Sequence, residues 1–160
     1  MARSAWLGAL VLFLFACSDS PTAPPLEPGP VPFTTVLQTQ FTGVATSRQQ
    51  VIRSSGAWSQ VWEEMYPNAA NRPPLPAVDF GAEMLLLAAA GEKPHGCHWV
   101  EIRSAEGVEG RLQVGVVETG DEVIGCLCHQ AVVYPVHVVR LARTSAQVVF
   151  DVQREPAICD

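Results

Sequence analysis

Residues 84–90 read MLLLAAA, seven apolar side chains in a row between Gly81 and Gly91. Successive side chains of a strand point to opposite faces of its sheet. A run with no polar member therefore predicts a central strand covered on both sides. The chain offers one helix as cover: Ala57/Trp58, Val61/Trp62 and Met65/Tyr66 recur every four residues and make one apolar face. Ser54 or Ser55 can cap its start, and Pro67 stops it. Trp58 and Trp62 both lie on that face and are expected to anchor the helix to a sheet.

The other strands follow from alternation and turn residues. They are expected over 33–41, with Leu37, Thr39 and Phe41 on one side, and over 48–54, where Val51 and Ile52 are apolar. Segments 98–103 and 111–118 should form a hairpin across the turn 104–110, SAEGVEG. Further strands are expected over 127–133, 136–141 and 148–152, with Pro135 separating the first two. The segments 68–78 and 119–125 read as a proline-rich loop and an exposed connection, and Asp79 is placed to cap or brace a loop. The fold class is α+β: a mainly antiparallel sheet, or a small β-sandwich, with one packed amphipathic helix.

At 160 residues and 48% hydrophobic composition, the chain has material for one domain. Residues 7–15, LGALVLFLF, follow Arg3 and fit the apolar centre of a signal peptide over 1–16. They fall short of the about 20 apolar residues that a membrane span needs. The junction Ala16-Cys17-Ser18 resembles a bacterial lipobox, which makes Cys17 the lipidated first residue of the mature protein. Six of the fifteen residues 18–32 are proline, so 17–32 reads as a lipidated cysteine and a semi-rigid spacer. At about 3.1 Å per residue the spacer reaches roughly 45 Å. The folded domain is expected over 33–160, held in the bacterial cell envelope by its lipid. Ser18 after the cysteine resembles the sorting pattern for the outer membrane, facing the periplasm or the cell surface. The net charge of −6, without a Lys/Arg cluster, argues against nucleic acid or an anionic lipid surface as a partner.

With Cys17 assigned to lipid, Cys97, Cys126, Cys128 and Cys159 remain. Export places them where cysteines pair, and four cysteines allow three connectivities. Joining Cys126 to Cys128 closes a very small ring and would distort an extended strand. The other two connectivities join Cys97 to one member of Cys126-Leu127-Cys128 and Cys159 to the other. Zinc is the rival reading, from His95, Cys97 and His98 in one cluster and Cys126, Cys128 and His129 in another. The spacings H-x-C-H and C-x-C do not match the common C-x₂-C patterns, so disulfides are favoured and no metal or cofactor is assigned.

The motifs of nucleophile elbows, zinc peptidases, phosphate loops and dinucleotide sites are missing from the sequence. His137 lies inside a strand pattern and reads as a structural histidine, and Asp121 and Glu122 read as a solvated turn. The expectation is a protein that is not an enzyme and takes no small-molecule ligand.

Four segments in order, AWSQVWEEMY, VDFGAEMLLLAAAGEKPHGCHWVEI, QAVVYPVHVVRLAR and VVFDV, resemble the PrcB-like family. The resemblance covers roughly residues 40–152 and rests on Trp58 and Trp62, Asp79-Phe80 and the Gly91-Glu92-Lys93-Pro94 turn; the family's Pro-Tyr order departs here to Tyr134-Pro135. Cys97 and His98 stand where the family pattern has Gly and Tyr. The family's namesake is a lipoprotein subunit that stabilises a bacterial surface protease complex, and the resemblance implies a non-enzymatic interaction domain held at a cell surface, with an exported protease as one candidate partner. The expected contact surface is the loop from Lys93 to Trp99, with Lys93, Pro94, His95, His98 and Trp99, because a tryptophan anchors well in a partner pocket. The order Pro94, Gly96, Trp99 is also similar to a loop of chagasin-like cysteine-peptidase inhibitors, which makes peptidase inhibition an alternative. A thiol-redox or metal-binding lipoprotein is a second alternative.

Overall fold

The computed structural model describes residues 26–159. The expected signal peptide 1–16, the lipidation site Cys17 and the spacer up to residue 25 lie outside the described residues. The strands are β1 (Gly29–Pro30), β2 (Phe33–Thr39), β3 (Arg48–Ile52), β4 (Glu83–Ala89), β5 (Trp99–Val108), β6 (Arg111–Ile124), β7 (Val136–Ala142) and β8 (Val148–Ile158). The helix α1 (Ser55–Met65) follows β3. One sheet has the order β2-β7-β4-β3 and is antiparallel throughout. The other has the order β1-β5-β6-β8, in which only β6 and β8 run parallel. This is the α+β sheet domain with a single helix that the pattern indicates.

β4 shows why MLLLAAA carries no polar side chain. Met84, Leu86 and Ala88 pack with Val139 and Leu141 against Val100, Ile102, Leu112, Val114 and Val116 of the second sheet. Leu85, Leu87 and Ala89 pack with Val136 and Val138 against Trp58, Val61, Trp62 and Met65 of α1. The molecule is thus three layers, sheet on sheet on helix, with β4 in the middle one. The helix begins at Ser54, whose hydroxyl accepts from the Ala57 amide. The Trp58 and Trp62 indoles donate to the carbonyls of Pro76 and Pro73, at 3.0 and 2.9 Å. That ties the proline-rich loop over the helix and satisfies both buried indole N–H groups.

His137 of β7 joins the two sheets from within. The Ile102 amide of β5 donates to its Nδ1 at 2.8 Å, so Nε2 carries the ring proton and donates to Thr35 Oγ1 at 2.9 Å. This agrees with the structural role read from the strand pattern. Asp79 braces its loop as expected, accepting from the Gly81 amide through its carboxylate.

Several strand bounds differ from the sequence reading. The hairpin turn shrinks to Glu109 and Gly110, both with positive φ, which is the two-residue turn that matches strand twist. Residues 104–108 belong to β5. β6 continues through 119–124, and β8 runs to Ile158 rather than 152, because the two extensions pair with each other across a register shift. The expected strand 127–133 does not form. Its only ladder contact is a single bridge between Val133 and Lys93. Phe41 is exposed and lies beyond the end of β2. The proline-rich segment 17–32 ends inside the fold: Gly29 and Pro30 pair with Gly107 and Glu106, and the Val31 amide donates to Ala105 O.

Candidate functional site

Three segments meet at the end of the sandwich where β5 begins: the loop 90–98, the loop 125–135 and the last residues of β8. Backbone bonds join the two loops. Lys93 and Val133 exchange both hydrogen bonds at 2.9 Å, and the Gly96 amide donates to His129 O at 3.0 Å. Two disulfides complete the assembly, Cys97–Cys128 and Cys126–Cys159. They settle which of the two open connectivities holds, and the second pins the C-terminal end to β6.

Gln40 adjusts the loop from beneath. It is buried, and its side-chain amide donates to the carbonyls of Gly96 at 2.8 Å and His98 at 2.6 Å. Two glycines permit the close approach. The His129 ring lies against Gly96 where any side chain would sit. A side chain at Gly120, which has φ +108°, would stand 2.6 Å from Cys97 O.

The surface product is an apolar groove of about 400 Å³ lined by Trp99, Thr119, Pro156, Ala157, Ile158 and three of the cysteines. Trp99 is 43% exposed and Ile158 is 65% exposed. Ile124, opposite Ile158 in the ladder, is exposed as well, and so is Leu127 between the two disulfides. Large apolar side chains concentrated in this way mark a surface that other molecules can cover.

Beside the groove lies a compact charge network. Lys93 Nζ stands 3.9 Å from Glu118 and 3.6 Å from Asp121, and Arg154 Nε stands 3.8 Å and 3.4 Å from the same two carboxylates. Glu118 is buried and stands between these two cations. His95 and His98 stack with ring centroids 4.4 Å apart. The Nδ1 atoms of both are buried without a hydrogen-bond partner. Burial holds the His98 pKa below the ordinary imidazole value, and neighbouring His95 and Lys93 act in the same direction against Asp121. His98 is therefore neutral at neutral pH.

The five expected contact residues fall in different places. Pro94 and Trp99 are exposed, Lys93 and His95 are half-buried, and His98 is enclosed. Asp121, read as part of a solvated turn, lies in β6 within the network. The sequence reading missed Gln40, Glu118, Arg154 and the apolar tail 156–158. Only the pairing of Cys159 pointed toward the tail. Of the two clusters in the rival zinc reading, neither set is grouped as donors among the described residues. The structure places His95, Cys97 and Cys128 with donor atoms within 4.8 Å of one another, the two sulfurs being those of the disulfide. The four cysteines among the described residues are all paired, so this site holds no thiolate nucleophile. Comparison with protein-family models, curated proteins and solved structures finds no significant match to the chain.

Proposed function

We propose that the protein is a lipid-anchored extracytoplasmic binding module that docks an exported protein through its disulfide-stapled end. The observation that carries this reading is Trp99. It is a large aromatic side chain left nearly half exposed beside an apolar groove, at the start of β5 and directly after a loop held by a disulfide and by Gln40. A rigid aromatic side chain loses little conformational freedom on binding and anchors an interface well. The resemblance to the PrcB-like family supplies the class of partner, an exported protease complex that the module stabilises without catalysing a reaction.

The way the chain enters the fold supports the same reading. β1 pairs at Gly107, close to the hairpin tip, while Trp99 begins β5 at the other end. At about 3.3 Å per residue, eight residues of strand separate them by roughly 26 Å. A module tethered through its N-terminal segment thus carries the groove on the side away from its point of attachment.

Site-specific photo-cross-linking in the envelope of the producing cell tests the proposal. A photoreactive residue at Leu127, beside the groove, is expected to form an adduct with one exported protein. The same residue at Val108, exposed at the hairpin end, is expected to form none. Equal labelling from both positions, or none from Leu127, would refute it. Tight inhibition of papain-like peptidases by the purified protein would shift the assignment to a peptidase inhibitor.

A further inference from the structure

The two disulfides have different surroundings. Cys126–Cys159 ties two strand ends together, and no histidine, aspartate or glutamate donor is grouped with it among the described residues. Cys97–Cys128 has a ring nitrogen of His95 within 4.8 Å of its sulfurs. His95 Nδ1 is buried without a hydrogen-bond partner, which is costly for a polar atom with no role. Bonds other than the disulfide also hold the loops that carry these residues. They are the paired hydrogen bonds between Lys93 and Val133, the bond from Gly96 to His129, and the Gln40 clamp on Gly96 and His98. Breaking the S–S bond therefore leaves both sulfurs and the imidazole close together.

We propose that Cys97–Cys128 is a redox-gated metal site: reduction of this disulfide creates a Cys₂His site for a thiophilic ion of the zinc class. Thiol–disulfide exchange with an exported dithiol supplies the two electrons and two protons, and the dithiol leaves as its own disulfide. Binding of Zn²⁺ then displaces one proton from each thiol. The ion is held by two thiolate sulfurs and one neutral imidazole nitrogen, with water in the fourth position. Zinc takes this donor set, with Zn–S distances of about 2.3 Å and Zn–N of about 2.0 Å. After reduction the two sulfurs, no longer bonded to each other, part to flank the ion, and the imidazole nitrogen, now within 4.8 Å of them, closes onto it. In the oxidised protein the same sulfurs are bonded to each other and the site is closed.

The test is a Zn²⁺ titration of the full chain carrying Cys17→Ser, against a chromophoric chelator, before and after reduction with a phosphine that is then removed. The oxidised protein is expected to take up no zinc. The reduced protein is expected to bind one ion per chain with release of two protons. Cys126→Ser/Cys159→Ser should retain that binding, and His95→Ala should weaken it by at least about tenfold. Near-ultraviolet circular dichroism reports whether the reduced protein keeps its tertiary packing. The proposal is overturned by a reduced protein that binds no zinc, by equal affinity in His95→Ala, or by loss of tertiary signal on reduction alone.

Discussion

Two buried polar side chains hold the parts of this molecule that its apolar contacts leave loosely specified. Gln40 fixes the loop 96–98 from below, and His137 fixes β5 against β7. The His137 Nδ1 is committed as an acceptor for the Ile102 amide, so protonation removes that bond and places a charge in the interior. Burial accordingly lowers the His137 pKa, with nearby Glu101 opposing weakly, and His98 is lowered as well. A histidine depressed in the folded state is protonated first in the unfolded chain. Stability is therefore full above the ordinary value of about 6.5 and falls as pH drops below it toward the lowered folded-state values. His137→Phe should flatten part of this acid loss. It should also cost about 1–3 kcal/mol at pH 8, because the Ile102 amide is left buried without an acceptor. Urea denaturation of both proteins between pH 5 and pH 8 measures the two effects, and an unchanged pH profile in the variant would contradict the role given to His137. The sequence pattern supports a structural histidine at 137, whereas nothing in it marks Gln40. A buried glutamine just past a strand end has no periodic signature, and its partners are carbonyls more than fifty residues away.

Among the elements, those that bury continuous apolar surface were legible. MLLLAAA and the two-tryptophan helix need no knowledge of their neighbours to be recognised, because their patterns state how many faces are covered. The extensions of β6 and β8 were not legible. Residues 119–124 and 153–158 include Asp121, Glu122, Arg154, Glu155 and Pro156, a composition that reads as loop. They are strands because they pair with each other and because Cys126–Cys159 closes their ends. The reverse error at 127–133 has a related cause. Alternation suggested a strand, but Cys126 and Cys128 are drawn to partners in different elements, and Gly125 adopts φ 74° just before them. Replacing both Cys126 and Cys159 by serine should therefore cost about 2–4 kcal/mol. Amide exchange should speed up over 153–159 while β4 and β7 remain protected. Unchanged exchange in the tail would mean that strand pairing alone holds it.

At the scale of the whole molecule, the three layers separate support from surface. The middle sheet and the helix carry most of the large buried side chains, and the second sheet carries the groove and the charge network at one end. The fold class could be read from pattern alone. The groove could not, since it is assembled from Trp99, β6 and the C-terminal tail, which come together only through long-range pairing and two disulfides. The central claim is that this end binds an exported protein with Trp99 as anchor, and co-purification from the envelope with wild-type and Trp99→Ala protein tests it most directly. Trp99 is partly exposed and outside both core clusters, so the substitution should change thermal stability little. It should weaken partner retention by at least about thirtyfold, the loss expected for an interface anchor. Retention of the same exported protein to the same extent by both proteins, or of none by the wild type, would contradict the account.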